Sequence, residues 1–134
     1  MNILLITHTY PDINKSWRGS FVKEQARALS LNHNVVVVFF KVDYQHFAPF
    51  ARSTFSKCIA GNLTEFTISI KKSFPVFNQL NYLCKTYKFI CDEVLCDFKP
   101  HVIHSHLTYP GGFLGTIIQM RKKIPNIIFK LRST

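Results

Sequence analysis

The sequence predicts an α/β fold: a three-layer sandwich in which a mostly parallel sheet of about five strands carries helices on both faces. Three observations lead there. Short apolar, β-branched runs alternate along the chain with stretches whose apolar residues recur at helical spacing. The runs at 2–7 and 35–40 are apolar through their centres, the pattern of strands buried on both faces. The 134 residues are 47% hydrophobic and 18% charged, which suits one folded domain, 1–134, with a substantial core.

Asn2-Ile3-Leu4-Leu5-Ile6-Thr7 is the first predicted strand. A long connection, His8 to Gly19, then leads into a helix whose apolar face is Phe21, Val22, Gln25, Ala26 and Leu29. The link exceeds the few residues usual between a strand and a helix, and such excess is often functional; the plain alternative is an ordinary βα link that happens to be long. Ser20 stands at the expected N-cap, and Gly19 permits a conformation or a close approach that a Cβ would forbid. The helix start offers unpaired N–H groups and a partial positive charge, a setting that favours an anion.

Val35 to Phe40 is the second strand. The aromatic and basic stretch Tyr44 to Ala60, broken by Pro49, is expected to hold a short helix flanked by loop. Gly61-Asn62 is a turn signal, and Glu65 to Ile70 forms a third strand. From Asn78 to Phe98 the apolar residues keep helical spacing until Pro100. His101 to His106 is the fourth strand, Tyr109-Pro110-Gly111-Gly112 opens a helix over 113–120, and Asn126 to Leu131 is the fifth strand. Arg121-Lys122-Lys123 suits the negative end of that last helix.

Composition narrows the function classes. Seventeen Lys and Arg against seven Asp and Glu give a formal charge of +10, so anions attract this chain. The basic residues are scattered, which argues against a nucleic-acid tail, and no nucleic-acid partner is expected. Cys58, Cys84, Cys91 and Cys96 contain no C-x-x-C pair, so no metal site is expected, and Cys84 and Cys91 read as small core residues on one helix face. Met1 leads straight into a strand without a signal peptide, and the longest apolar run is too short to span a bilayer. The expected location is cytoplasmic, with membrane contact at most peripheral, on the inner face of the plasma membrane. The dinucleotide fingerprint G-x-G-x-x-G, the phosphate loop G-x-x-x-x-G-K-[ST] and the G-x-S-x-G elbow are all missing, and no cofactor is expected.

Ligands of an open parallel sheet gather at the carboxyl ends of its strands. Two such ends carry chemistry: His8 to Ser20, and His106 to Gly112. Strand alternation puts His104 and His106 on one side. His104, mid-strand, reads as a hydrogen-bonded core histidine, whereas His106 is open to either loop anchoring or substrate contact.

Two stretches carry a family resemblance. Tyr10-Pro11, then Arg18-Gly19-Ser20-Phe21-Val22-Lys23-Glu24-Gln25-Ala26 through Leu29, then His33-Asn34-Val35-Val36-Val37-Val38, resemble the amino-terminal signature of family 4 glycosyltransferases of the GT-B fold. Lys99-Pro100-His101-Val102-Ile103-His104-Ser105-His106, followed by Pro110-Gly111-Gly112, is similar to that family's P-D-V-I-H-x-H-x-x-x-P-x-G. The resemblance implies a Rossmann-like N-terminal half of a GT-B enzyme, retaining transfer of a sugar from a nucleotide-sugar donor, and an acceptor side formed by this half. It implies His106 as the catalytic residue and Arg18, Gly19, Ser20, Tyr109, Pro110, Gly111 and Gly112 as substrate-binding residues. Its partners would be the nucleotide-sugar donor and a glycan or lipid-linked acceptor. The residues themselves, Phe74, Phe77, Tyr82, Tyr87 and Phe89 near Lys71, Lys72, Lys85 and Lys88, would suit an anionic membrane surface, the alternative being that these aromatics pack in the core. The chain departs from the pattern at Asn32-His33, where the family has Gly-His, and at Leu131-Arg132-Ser133-Thr134, where a His-bearing turn is usual. The family's donor-binding domain has no counterpart here, so the chain by itself is expected to be inactive. A non-catalytic binding subunit, or a truncated fragment that needs a separate donor domain, is the alternative reading.

Overall fold

Ile3, Leu4, Leu5 and Ile6 leave no polar side for water, and the strand they form lies inside the sheet with apolar cover on both faces. The computed structural model describes residues 1–10 and 19–129, with backbone alone for 107, 108 and 127–129. Six strands assemble in it: β1 (Asn2–Thr7), β2 (Asn34–Phe47), β3 (Thr54–Ala60), β4 (Leu63–Lys72), β5 (Val102–His106) and β6 (Asn126–Phe129). Their order across the sheet is β3-β4-β2-β1-β5-β6. All neighbours are parallel except β3 and β4, which form an antiparallel hairpin around Gly61 and Asn62.

Three α-helices cover this sheet: α1 (Ser20–Ser30), α2 (Asn78–Phe89) and α3 (Phe113–Lys122). Alternation in the central strands sorts their side chains into two cores. Ile3, Leu5, Val35, Val37 and Phe39 meet Val22 and Ala26 of α1 on one face. Leu4, Ile6, Val36, Val38 and Phe40 face the other way, toward Phe89 and Ile90 at the end of α2 and Leu114 and Ile118 of α3. Each such fully buried aliphatic side chain is worth about 1.5–3 kcal/mol relative to exposure. The register Ile3↔Val35 and Leu4↔Ile103 locks the pattern, since a slip of one residue would exchange the two faces.

Three expectations need correction. The stretch 44–60 contains no helix: β2 continues to Phe47, and Thr54–Ala60 is an edge strand, which raises the strand number from about five to six. Every residue of β3 is exposed, so no burial alternation marks it in the sequence. The helical stretch after Asn78 ends its regular part at Phe89 and continues as a wider π turn over Ile90–Val94. Its buried positions are Thr86, Phe89, Ile90 and Val94, which leaves Cys84 exposed and Cys91 half-buried instead of in the core. The fifth expected strand is described only to Phe129; 130–134 lie outside the described residues.

Candidate functional site

Strand order determines where this sheet opens. From β1 the chain leaves through α1 over one face to reach β2, whereas from β5 it leaves through α3 over the opposite face to reach β6. The adjacent carboxyl ends of β1 and β5 therefore form a topological switch point, where connections diverge and a crevice is left. Both motif-bearing segments emerge there.

The first wall is the β1–α1 turn. Thr7 Oγ1 donates to Thr9 O at 2.9 Å and accepts from Thr9 N at 3.1 Å, which folds the chain back as it leaves the strand. Tyr10 is buried and its hydroxyl donates to Glu65 Oε1 on β4, with its ring 5.9 Å from Phe39 and Lys23 Nζ 5.7 Å above it. Burial, then the Glu65 carboxylate, pushes the Tyr10 phenol well above its ordinary range. Gly19 is the N-cap of α1, with φ of 70°. A Cβ there would lie 2.6 Å from Thr9 O. Ser20 was expected as the cap; it is instead the first helical residue, exposed, and α1 has no side-chain cap bond. The left-handed Gly19 turns the chain directly into the helix, so the Ser20 hydroxyl is past the position from which a cap accepts. No acidic residue stands in the first turn of α1 to neutralise its positive end. Arg18 lies outside the described residues.

The second wall is the β5–α3 turn. His104 and His106 share the α1 side of β5, with ring centroids 5.3 Å apart. Phe21 of α1 meets His106 edge-on at 6.0 Å, so the two walls touch through this pair of rings. His106 is 2% exposed, and burial lowers its basicity; His104 is pushed down to about 4 by burial and by the neighbouring imidazole. Both rings are neutral at pH 7. An irregular wide turn, Leu107–Gly112, follows, in which Tyr109 is extended and the Tyr109–Pro110 peptide is cis. Pro110, Gly111 and Gly112 are buried. A Cβ on Gly111 would lie 2.5 Å from His106 O and 3.3 Å from Ile6 O, so this glycine seats the turn directly on the ends of β5 and β1.

Tyr109 is 45% exposed at the crevice mouth. Its hydroxyl donates to Gln79 Oε1 at 3.0 Å and accepts from Tyr82 at 3.4 Å. Tyr82 stacks on Phe40 at 6.1 Å, Phe40 lies 6.4 Å from His8, and Phe113 lies 6.2 Å from Tyr109. Aromatic faces and hydroxyl or amide groups thus alternate along this rim. Gln79 and Glu65 carried no local signal in the sequence; each is identified only by a partner 30 or 55 residues away. The structure therefore brings the start of α1 and the β5–α3 turn together at the switch point through the Phe21–His106 contact, while the contacts of Tyr109 with Tyr82 and Gln79 lie toward α2. A recess of about 460 Å³ lies elsewhere, between β3 and α2, with Arg52, Phe55 and Lys88 in its walls. Among the described residues no three His, Cys, Asp or Glu side chains converge as a metal site would require, and no helix is long and apolar enough to cross a membrane.

Comparison with known proteins agrees with this architecture. No protein-family model matches the chain, and no curated protein matches it. Among solved structures the chain is similar to one described as trehalose-6-phosphate from E. coli bound with UDP-2-fluoro glucose, with a TM-score of 0.51 and 11% sequence identity. The match covers 96% of this chain and 32% of that one, so the chain spans about a third of its neighbour's length. The fold is that of a Rossmann-like half of the GT-B architecture.

Proposed function

We propose that this chain forms the acceptor side of a retaining glycosyltransferase of the family 4 type, with a nucleotide-sugar donor held by a second domain. The observation that carries the reading is the switch point. Two segments more than eighty residues apart, the start of α1 and the turn after β5, leave the adjacent carboxyl ends of β1 and β5 and touch through Phe21 and His106, which supports a shared ligand site there.

The chemistry asked of the site is electrostatic. Transfer of a glycosyl group leaves a nucleoside diphosphate and passes through an oxocarbenium-like state, which fixed amides and basic groups stabilise. The uncompensated start of α1 at Gly19-Ser20, with Arg18 beside it in the sequence, is suited to an anionic group. The rim of Tyr109, Tyr82 and Gln79 is suited to the acceptor, since pyranose rings present apolar C–H faces together with hydroxyls. His106 is neutral and can hold or pass a single proton at the crevice floor.

Saturation-transfer NMR on the 134-residue chain with a panel of oligosaccharides tests the reading. Acceptor-type glycans should receive saturation, and Tyr109→Ala should remove it. Radiolabelled-sugar assays should find no transfer by the chain alone and transfer once a donor-binding domain is supplied. A panel without any binder, together with no transfer on mixing, removes the proposal.

A further inference from the structure

β1 ends its pairing with β2 at Thr7↔Phe39, but β2 runs on to Phe47 beside β4, so this ladder rises on the order of 20 Å above the crevice floor. Its tip is tied together. Ala48 N donates to Lys72 O at 3.0 Å, the rings of Phe47 and Phe74 meet edge-on at 5.2 Å, and Lys85 Nζ donates to Ala51 O at 2.7 Å. The tip is therefore a defined part of the fold, yet it is covered with apolar side chains in water: Phe50 is 93% exposed, Val76 85% and Phe77 58%, with Tyr44, Phe47 and Leu80 exposed beside them. Isolated exposed apolar residues are ordinary; a cluster on two neighbouring loops marks a contact surface.

Charge indicates what it contacts. Lys71, Lys72, Arg52, Lys85 and Lys88 flank the cluster and outnumber the acids beside them: Asp43, held well below the usual carboxylate range by Lys71 and His46, and Asp92 and Glu93, which share the recess walls with Arg52, Lys85 and Lys88. A second copy of this chain would bring the same excess of positive charge, +10 in total, against it. Val76 and Phe77 stand on the β4–α2 loop and Phe50 on the β2–β3 loop, where it borders the recess between β3 and α2; Arg52 shares its loop, and Lys72 and Lys85 stand at the end of β4 and on α2. Exposed apolar loop residues with cations among and behind them suit the interfacial zone of an anionic bilayer.

We propose that the β2–β3 and β4–α2 loops form a membrane-contacting surface that inserts Phe50, Val76 and Phe77 among anionic lipid headgroups while Arg52, Lys72 and Lys85 engage their phosphates. Phe40, Tyr82 and Tyr109 run from the base of this ladder to the crevice mouth. The surface assignment stands without the glycosyl-transfer reading; resting on that reading, the row presents a lipid-linked acceptor to the crevice.

Vesicle co-sedimentation of the 134-residue chain, with no sugar present, tests this separately from any transfer assay. Vesicles of phosphatidylcholine with roughly one third phosphatidylglycerol should bind the chain about tenfold or more better than phosphatidylcholine alone, and added salt should weaken the binding. The exposed pair F50S/F77S should lower retention about tenfold with an unchanged circular dichroism spectrum, as should R52E/K72E on anionic vesicles alone. L31S/M120S, equally exposed apolar positions outside the surface, should bind as the parent does. Equal binding to neutral and anionic vesicles overturns the proposal, and so does full retention by F50S/F77S. Self-association on gel filtration that F50S/F77S abolishes, without lipid binding, overturns it in favour of a second copy as the partner.

Discussion

The two walls of the crevice carry the same sequence signal, a glycine just ahead of a helix, and use it in different ways. Gly19 has a φ of 70° and rests on the backbone of Thr9, in a turn after β1. Gly111 has no positive φ, but its Cα faces the carbonyls of His106 and Ile6, two strand ends inside the sheet. The first glycine is required by a dihedral angle and a close turn carbonyl, the second by two strand ends held in the sheet. One wall therefore presents a helix start beside a half-exposed turn, while the other is a packed plug in which Pro110, Gly111 and Gly112 are buried and Tyr109 reaches the solvent. A glycine at a helix start thus identifies a close approach without saying whether a ligand or the protein's own backbone does the approaching.

Gly111→Ala should break the comparison most forcefully. The added Cβ would meet a backbone oxygen at 2.5 Å, and neither β5 nor β1 can withdraw without losing ladder hydrogen bonds. Overpacking of that kind costs about 3 kcal/mol. Urea unfolding monitored by circular dichroism measures it. A cost below about 1 kcal/mol would mean that the plug is loose and that the walls are alike.

Acidification comes next and acts on the second wall. His104 titrates near 4 in the folded chain, against 6.5 for an ordinary imidazole. Between those values the unfolded chain binds a proton that the folded chain refuses, so stability is fully present above 6.5 and falls as the pH drops toward 4. The slope is at most about 1.4 kcal/mol per pH unit for each imidazole, which gives about 2 kcal/mol for His104 on going from pH 6.5 to 5. Buried His106 adds to it in the same direction. His104→Gln should flatten the dependence by about its own share; an unchanged slope would place the titration elsewhere.

Much of the architecture could be read from residue patterns because burial imposes them. Ile3 to Ile6 and Val35 to Phe40 are apolar on both faces because both faces are covered, and Val22 and Ala26 keep helical spacing because α1 lies on the sheet by one side. The β3 strand escaped notice for the converse reason: with no buried face, Phe55, Lys57 and Ile59 follow no period that packing enforces. Cys84 is exposed although it lies in the regular part of α2, because the face turned to the sheet is that of Thr86 and Phe89; lying on one helix face with Cys91 does not say which face is inward, and the widening at Ile90 rotates Cys91 in turn. At the crevice, the local motifs around Gly19 and Gly111 were visible and the strand order then juxtaposed them. Tyr10–Glu65 and Tyr109–Gln79 were invisible, since a hydrogen bond across 55 or 30 residues leaves no trace in either neighbourhood.

Gly19→Ala should have the smallest effect on stability and separates the two causes acting at the first wall. A left-handed conformation costs a residue with a Cβ about 1–2 kcal/mol. The crowding at 2.6 Å adds less than at Gly111, because Thr9 belongs to a turn that can shift. Tyr10 limits that shift: its hydroxyl is fixed to Glu65 and its ring lies against Phe39, so Thr9 is displaced between two anchors, Thr7 Oγ1 and Tyr10. Gly19→Asn divides the terms, since asparagine tolerates a positive φ but brings the same Cβ. If Asn restores most of the stability lost with Ala, the dihedral angle dominates and the turn yields freely. If Asn and Ala lose equal amounts, the Thr9 carbonyl is as fixed as the strand ends beneath Gly111. Hydrogen exchange at the first-turn amides of α1 gives the local readout: for a yielding turn, protection there falls while the β1 amides keep theirs.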